Sequence, residues 1–246
     1  MSQEQNNNIR RQDSELLAKR SIQVQRGGAR AAVLGVNDGL VSVLCIVLGV
    51  AGAKASPKTV LLAGFAGLLA GAISMAAGEW ISVTSQVDLF NGVLSDLKHM
   101  VKNDRELITE QLETDFRNSG LSNGTATLAA HEITKNDTHL YKEYAENVIG
   151  LNPDELGSPW TAAISSLALF TLGALAPLAP WFFGGGLRTI VLSIAFTAIG
   201  GLIVGGYVSR SSGNSILRGS LRQLFIIVLA AAVTYGIGHI FGTVIG

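Results

Sequence analysis

Five long runs of apolar residues dominate the pattern of hydrophobic and polar positions along the chain. A helix needs about 20 mostly apolar residues to cross the hydrocarbon core of a bilayer, and each run is long enough. We therefore predict five transmembrane helices. They cover approximately Ala31–Ala53, Thr59–Val83, Pro159–Phe183, Leu187–Ser209 and Leu221–Ile245.

The one sizeable polar region, residues 88–157, separates the second and third runs. Apolar residues at its start recur at steps of three and four, so the second span is predicted to continue as one long helix. Three further helices are predicted over residues 104–118, 123–135 and 137–148, with Gly120 and Gly150 as stops. The expected fold is an all-α membrane protein with five transmembrane helices and a helical insert between the second and third.

Composition supports this fold and excludes several classes of protein. Of the 246 residues, 48% are apolar and 15% are charged, whereas soluble domains carry about a quarter charged residues. No acidic residue follows Glu155, which excludes an ordinary soluble enzyme for the whole chain. The single cysteine, Cys45, excludes an intrachain disulfide and a cysteine-based zinc site.

Motifs for catalysis and for cofactors are missing from the sequence. It contains no phosphate-binding glycine loop, no His-Glu-x-x-His and no nucleophile elbow. The basic N-terminal tail has no interleaved aromatic residues, so lipid is a better match than nucleic acid. We predict neither an enzyme nor a bound cofactor.

The distribution of basic residues predicts the orientation. A cytosolic N-terminus places 15 of the 18 lysines and arginines on the cytosolic side and leaves the C-terminus outside. The predicted organisation is a cytosolic tail (1–29), transmembrane helices 1 and 2 (30–87), a cytosolic helical domain (88–157) and transmembrane helices 3 to 5 (158–246).

Small residues and prolines predict how the helices pack and end. Gly64, Gly67 and Gly71 lie on one face of the second span, and Gly201 and Gly205 lie on one face of the fourth. Such faces let helix backbones approach closely. Pro177 and Pro180 are expected to kink or end the third span.

Asp38 is the sharpest functional signal. A carboxylate inside a membrane span is costly and marks an ion site, a proton relay or a pathway. The second span returns to the same depth with Met75 and Glu79 four residues apart on one face. Carboxylate oxygens suit hard cations, and a thioether adds preference for softer transition metals. A structural hydrogen bond at Asp38 and a solvated carboxylate at Glu79 are the alternatives.

The insert carries a second set of acidic residues. Glu106, Glu110 and Glu113 share one helical face, and Glu143 and Glu146 form a Glu-x-x-Glu pair on its last helix. Oxygen ligands of this kind bind Mn²⁺ and Fe²⁺. A solvated acidic helix face explains the same pattern, so both interpretations stay open.

Two motifs resemble the vacuolar iron transporter family. They are RAAVLGVNDGLVS over residues 30–42 and AGAISMAAGEWISVTSQ over residues 70–86, in order and at the family's separation. Residues 159–246 match more loosely, through SPWTAAISS from Ser158 and GALAPLAP from Gly173. The chain is identified as a member of this family, and a prokaryotic member is expected.

The resemblance implies a homodimer whose ion path is lined by the first helices, and export of Fe²⁺ or Mn²⁺ from the cytosol against proton counterflow. Asp38 and Met75 correspond to the acid and methionine that line the path, and Glu79 lies near its cytosolic mouth. The metal is the transported substrate, and an antiporter in a prokaryotic inner membrane is expected, with the vacuolar membrane as the alternative. A passive cation channel and a membrane-anchored scaffold remain rival functions.

The insert departs from the family pattern. Members with a cytosolic metal site carry two Glu-x-x-Glu pairs and a further Glu just before a Gly-Leu. If Gly120 and Gly150 set the register, apolar residues or an amide occupy those positions here. Either the pairs Glu110–Glu113 and Glu143–Glu146 take the place of the family's metal ligands, or the insert has lost metal binding. The residues that replace the family's ligands are Leu97, Met100, Ile108, Gln111 and Val148.

Overall fold

The structure is a computed structural model that describes residues 28–153 and 156–244. The predicted N-terminal tail therefore lies, apart from its last two residues, outside the described residues. The described part is helical and contains no strand, and five of its helices are long and apolar enough to cross a membrane. The all-α membrane fold with five spans is confirmed.

Residues 28–153 and 156–244 contain eight α-helices, and two short segments of other helical types extend two of them. A π-helical segment, Tyr144–Ile149, continues α5, and a 3₁₀ turn, Ala179–Phe182, continues α6. The α-helices are α1 (Gly28–Gly52), α2 (Pro57–Asn103), α3 (Arg105–Asn118), α4 (Asn123–Thr134), α5 (Asp137–Glu143), α6 (Pro159–Leu178), α7 (Leu187–Ser211) and α8 (Ile216–Val244).

The helices form two compact units. Of the described residues, 28–80 and 160–244 form the membrane unit, and 81–153 and 156–159 form the insert unit. The 47-residue helix α2 belongs to both, which confirms that the second span continues as one long helix.

One end of each of two transmembrane helices differs from the sequence prediction by five residues. α8 begins at Ile216, five residues before the predicted span, because a helix continues through polar residues that a hydropathy window leaves out. α6 ends at Leu178, and Pro180 lies in the 3₁₀ turn that follows. Pro177 is tolerated in the last turn, where Ser193 Oγ donates a hydrogen bond of 2.6 Å to its carbonyl oxygen.

α1 is the central helix of the membrane unit. None of residues 35–53 is exposed, whereas the other spans each present exposed apolar side chains, as lipid-facing helices do. The buried core around α1 takes side chains from α2, α6 and α8. Its fully buried members include Val43, Leu44, Val47, Leu48, Val60, Phe170, Ala174, Leu178 and Ile227.

Glycines bring the helices of the membrane unit into close contact, as predicted. A Cβ at Gly64 or Gly67 would overlap side chains of α1 and α6, and one at Gly71 would overlap the ring of Phe170. A Cβ at Gly205 would lie 2.7 Å from the carbonyl oxygen of Gly219 on α8. The two predicted packing faces are confirmed.

The insert unit is a small helical domain with its own apolar core. Ser122 caps α4, and Asn136 caps α5 by accepting a hydrogen bond of 2.9 Å from the backbone N–H of Thr138. Gly120 and Gly150 have φ of +100° and +79°, a backbone conformation that favours glycine and ends each helix. The core consists of Leu94, Leu97, Val101, Ile108, Leu112, Leu140, Tyr144 and Ala145.

Candidate functional site

Asp38 lies on α1, half-buried inside the membrane unit. Ser42, one helical turn further along, donates a hydrogen bond of 2.5 Å from Oγ to Asp38 Oδ1. In the described part of the chain no lysine or arginine forms an ion pair with Asp38.

The backbone of α1 touches that of α6 directly beside Asp38. A Cβ at Gly39 would overlap the carbonyl oxygen of Phe170, and a Cβ at Gly173 would overlap that of Val36. Only glycine permits this approach, because any side chain at either position would force the helices apart. The crossing fixes the position of the Asp38 turn within the bundle.

Asn37, the residue before Asp38, is linked to α8. Gln223 of α8 donates a hydrogen bond from Nε2 to Asn37 Oδ1. Gln223 is buried, so the pair is a polar link inside the bundle. The sequence analysis missed this residue, although an amide within a predicted span is a signal for interhelical contact.

Half-buried residues follow one face of α1 from Asp38. Ser42, Cys45 and Gly49 lie four, seven and eleven residues further along, so they share that face. The Cys45 thiol is hydrogen-bonded to the hydroxyl of Thr234 on α8. This face carries the polar atoms nearest Asp38 along the helix, and it contacts α8 at Cys45 and Gly49.

Met75 and Glu79 lie half-buried one helical turn apart on α2. Met75 packs against the core cluster that surrounds α1, and Glu79 has no ion-pair partner in the part that the structure describes. The next residue, Trp80, contacts Trp160 with ring centroids 6.0 Å apart and planes tilted by 59°. The aromatic pair joins the ends of the second and third spans where tryptophan anchors are enriched.

No three of the His, Cys, Asp and Glu side chains among the described residues lie close enough to hold a metal ion together. Within the described residues, neither Asp38 nor Glu79 therefore belongs to such a group of three. The assignment of Asp38, Met75 and Glu79 to metal binding stays a prediction.

The insert acids have separate local partners. Glu113 accepts a hydrogen bond of 2.7 Å from Thr127 Oγ1 and lies 3.4 Å from Arg117. Glu143 accepts one of 2.9 Å from Asn147, and Glu146 lies 4.0 Å from Lys142. Glu106 and Glu110 are exposed. Metal binding by these five acids likewise stays a prediction.

A cavity of about 490 Å³ opens beside α3 and the π-helical segment. Tyr144, at the first position of that segment, donates a hydrogen bond to Gln111 Oε1 across the cavity wall, and burial raises the pKa of its phenol. Two acidic groups line the cavity, and no basic residue does. The lining residues are Leu107, Glu110, Gln111, Thr114, Asp115, Asn118, Tyr144 and Val148.

The sequence pattern of the VIT family matches residues 29–239, which include the whole of the site around Asp38. The chain belongs to the VIT family. It is 32% identical over 214 residues to "Vacuolar iron transporter homolog 2" of Arabidopsis thaliana, covering 87% of this chain and 84% of the relative. It is 31% identical over 224 residues to "Vacuolar iron transporter" of Acanthamoeba castellanii, covering 88% and 80%.

A third VIT-family relative, "VIT-like transporter 1b" of Glycine max, is 32% identical over 214 residues, with 87% of this chain and 76% of the relative covered. These relatives come from plants and an amoeba. The expectation of a prokaryotic member is therefore not borne out. The family confirms a multi-pass membrane transporter rather than an enzyme.

Proposed function

We propose that this VIT-family protein is a proton-coupled transporter that moves Fe²⁺, Mn²⁺ or both out of the cytosol. The observation that carries the proposal is Asp38, a half-buried carboxylate inside a membrane helix with no fixed cation beside it among the described residues. Maintaining such a group in a bilayer is costly, and it is the expected feature of an ion path. Iron as the substrate follows from the names of the relatives.

The chemistry at Asp38 accounts for exchange of metal and proton. As a carboxylate it offers oxygen ligands to a divalent cation, and when the cation leaves it accepts a proton from the far side. Return of that proton to the cytosol restores the carboxylate for the next ion. Met75 contributes a thioether that favours transition metals over Mg²⁺ and Ca²⁺, and Glu79 receives the ion at the cytosolic end.

A homodimer completes the ligand set in this proposal. The described part of one chain lacks three clustered acidic, thiol or imidazole ligands, whereas a second copy would bring a second Asp38 and Met75. Such a copy would place them opposite Asp38, which is only half-buried in one chain. This arrangement puts the ion path between the two α1 helices.

The direction of transport rests on the orientation proposed from the basic residues, with the N-terminus and the insert in the cytosol. The names of the relatives support a vacuolar membrane. Metal then moves from the cytosol into the compartment, and protons move outward. An acidic lumen would drive the exchange.

Uptake by proteoliposomes tests the proposal directly. Fe²⁺ and Mn²⁺ entry is measured with and without an imposed pH gradient for the wild type, for Asp38→Asn and for Asp88→Asn. The Asp88 variant is the matched control, because it makes the same chemical change at an exposed position. We expect gradient-dependent uptake by the wild type and the control, and loss of uptake in Asp38→Asn.

Each other outcome contradicts a defined part of the proposal. Uptake that is independent of the gradient would indicate a passive channel. Full uptake by Asp38→Asn would show that the transport path does not require the Asp38 carboxylate. Absence of flux for both metals would reject metal transport and favour a membrane-anchored scaffold.

A further inference from the structure

The hydrogen bond between Gln223 and Asn37 is built into the bundle by two glycines. A Cβ at Gly201 would come within 3.1 Å of Gln223 Cγ, and one at Gly205 within 3.0 Å of its Cβ. Both glycines belong to α7, so this helix leaves a slot through which the side chain of Gln223 reaches α1. The slot is specific in shape, since a single added methyl group would crowd it.

The bond constrains the rotation of α1 close to Asp38. Successive residues of an α-helix point about 100° apart, so fixing Asn37 toward α8 also fixes the direction in which Asp38 points. The other contacts between α1 and α8 lie closer to the C-terminal end of α1. Cys45 contacts Thr234, and Gly238 lies so close to Gly49 that a Cβ at Gly238 would overlap the carbonyl oxygen of Gly49.

We propose that Gln223 is a positioning residue for transport, which fixes the direction of the Asp38 side chain through Asn37. This inference rests on the proposed function. Gln223 itself does not contact the ion. Its loss leaves the amide of Asn37 unpaired inside the bundle and lets α1 populate rotations in which Asp38 is turned away. The apparent affinity for metal then falls with the fraction of competent chains.

The test uses Gln223→Leu, which keeps the side chain's approximate size and removes its amide. Ser193→Ala is the matched control, because it removes another buried interhelical hydrogen bond, from α7 to Pro177 of α6, in which α1 takes no part. We expect the KM for Fe²⁺ in proteoliposomes to rise about fivefold in Gln223→Leu, as loss of one hydrogen bond implies. We expect the maximal rate to change less, and Ser193→Ala to retain the KM of the wild type.

A second readout does not depend on transport. Cys45 is the only cysteine of the chain, and its thiol is hydrogen-bonded to Thr234 of α8. Its rate of modification by a maleimide in detergent therefore reports the seating of α1 against α8. We expect about fivefold faster labelling in Gln223→Leu and an unchanged rate in Ser193→Ala. The double variant Asn37→Gln with Gln223→Asn exchanges the two amides and is expected to restore both readouts.

The outcomes separate this inference from the proposed function. An unchanged KM and labelling rate in Gln223→Leu, beside an active wild type, would overturn the inference and leave transport intact. Equal effects of Gln223→Leu and Ser193→Ala would show that Gln223 contributes only to helix packing. This result would also overturn the inference. If the wild type carries no metal, the proposed function fails, and with it the role of Gln223 in transport. If Gln223→Leu fails to fold, Gln223→Asn with and without the Asn37→Gln exchange provides the same comparison.

Discussion

Ser42 lies one helical turn beyond Asp38 on α1 and donates a hydrogen bond of 2.5 Å to its Oδ1. This hydrogen bond involves only Oδ1, so Ser42 does not occupy Oδ2 of the carboxylate. It therefore orients the carboxylate without blocking it, and a cation that binds there meets a side chain already held in one rotamer.

Removal of this donor is expected to impair transport without removing the ligand. Hydrogen bonds to charged groups contribute about 1.5–3 kcal/mol, so Ser42→Ala should lower the transport efficiency for Fe²⁺ about tenfold in proteoliposomes. Ser42→Thr keeps a hydroxyl and is expected to retain most of the efficiency. Equal efficiency in Ser42→Ala and the wild type would show that Ser42 does not orient Asp38.

Selectivity provides a separate test of Met75. Met75→Leu is close to volume-conserving, so the packing cost stays below about 1.5 kcal/mol, but the thioether is lost. We expect competition by excess Mg²⁺ to inhibit Fe²⁺ uptake more strongly in this variant than in the wild type. Met100→Leu, on the part of α2 that lies in the insert unit, is the control and should leave competition unchanged. Wild-type selectivity in Met75→Leu would make Met75 a packing residue.

The crossing of α1 and α6 makes a prediction about stability. Gly39→Ala would place a methyl group into the carbonyl oxygen of Phe170 on α6, and overpacking of this kind costs about 1–3 kcal/mol. The Tm in detergent should fall by about 5 °C. Gly236→Ala is the control, since no heavy atom lies within 4 Å of a Cβ there, and its Tm should match the wild type. A stable Gly39→Ala variant would contradict the observed approach of the two backbones.

Much of the fold follows from local pattern. The 3.6-residue period, the apolar run lengths and the stops at Gly120 and Gly150 predicted the spans, the long α2 and the insert helices, because these features are encoded within a few turns of chain. The π-helical segment after α5 was not predicted. Its apolar residues fit an α-helix equally well in sequence, and the choice depends on burial of both Tyr144 and Ala145 in the insert core.

The site is only partly readable from sequence for a similar reason. Asp38 is conspicuous because a carboxylate is out of place in an apolar run. The hydrogen bond of the adjacent Asn37 to Gln223 is not conspicuous, because the two residues are 186 positions apart in the sequence. They meet through the slot at Gly201 and Gly205. Such a contact depends on how helices pack, which periodicity along one helix does not specify.

The acidic residues of the insert are expected not to be needed for metal binding. Glu113 already accepts a hydrogen bond from Thr127 and lies beside Arg117, while Glu110 is exposed. We expect Glu110→Gln with Glu113→Gln to leave the Mn²⁺ stoichiometry of the purified chain unchanged in equilibrium binding, whereas Asp38→Asn lowers it. Loss of a bound ion in the double glutamine variant would instead establish a metal site in the insert.

Tyr144 predicts how the insert responds to alkaline pH. Burial raises its pKa above the usual 10.0, so the folded insert holds the phenolic proton more tightly than the unfolded chain does. Below pH 10 both states are protonated, and this contribution to stability is fully present. As the pH rises from 10 through the folded-state pKa, the unfolded state ionises first and stability is lost.

Proteolysis of the insert tests this dependence. The rate of cleavage by subtilisin follows the fraction of molecules in which the insert is transiently unfolded, so it should increase more between pH 9 and 11 in the wild type than in Tyr144→Phe. Tyr207→Phe removes an exposed phenol of α7 and should behave as the wild type does. If Tyr144→Phe shows the same increase as the wild type, another group causes the alkaline loss, and the buried phenol does not contribute to it.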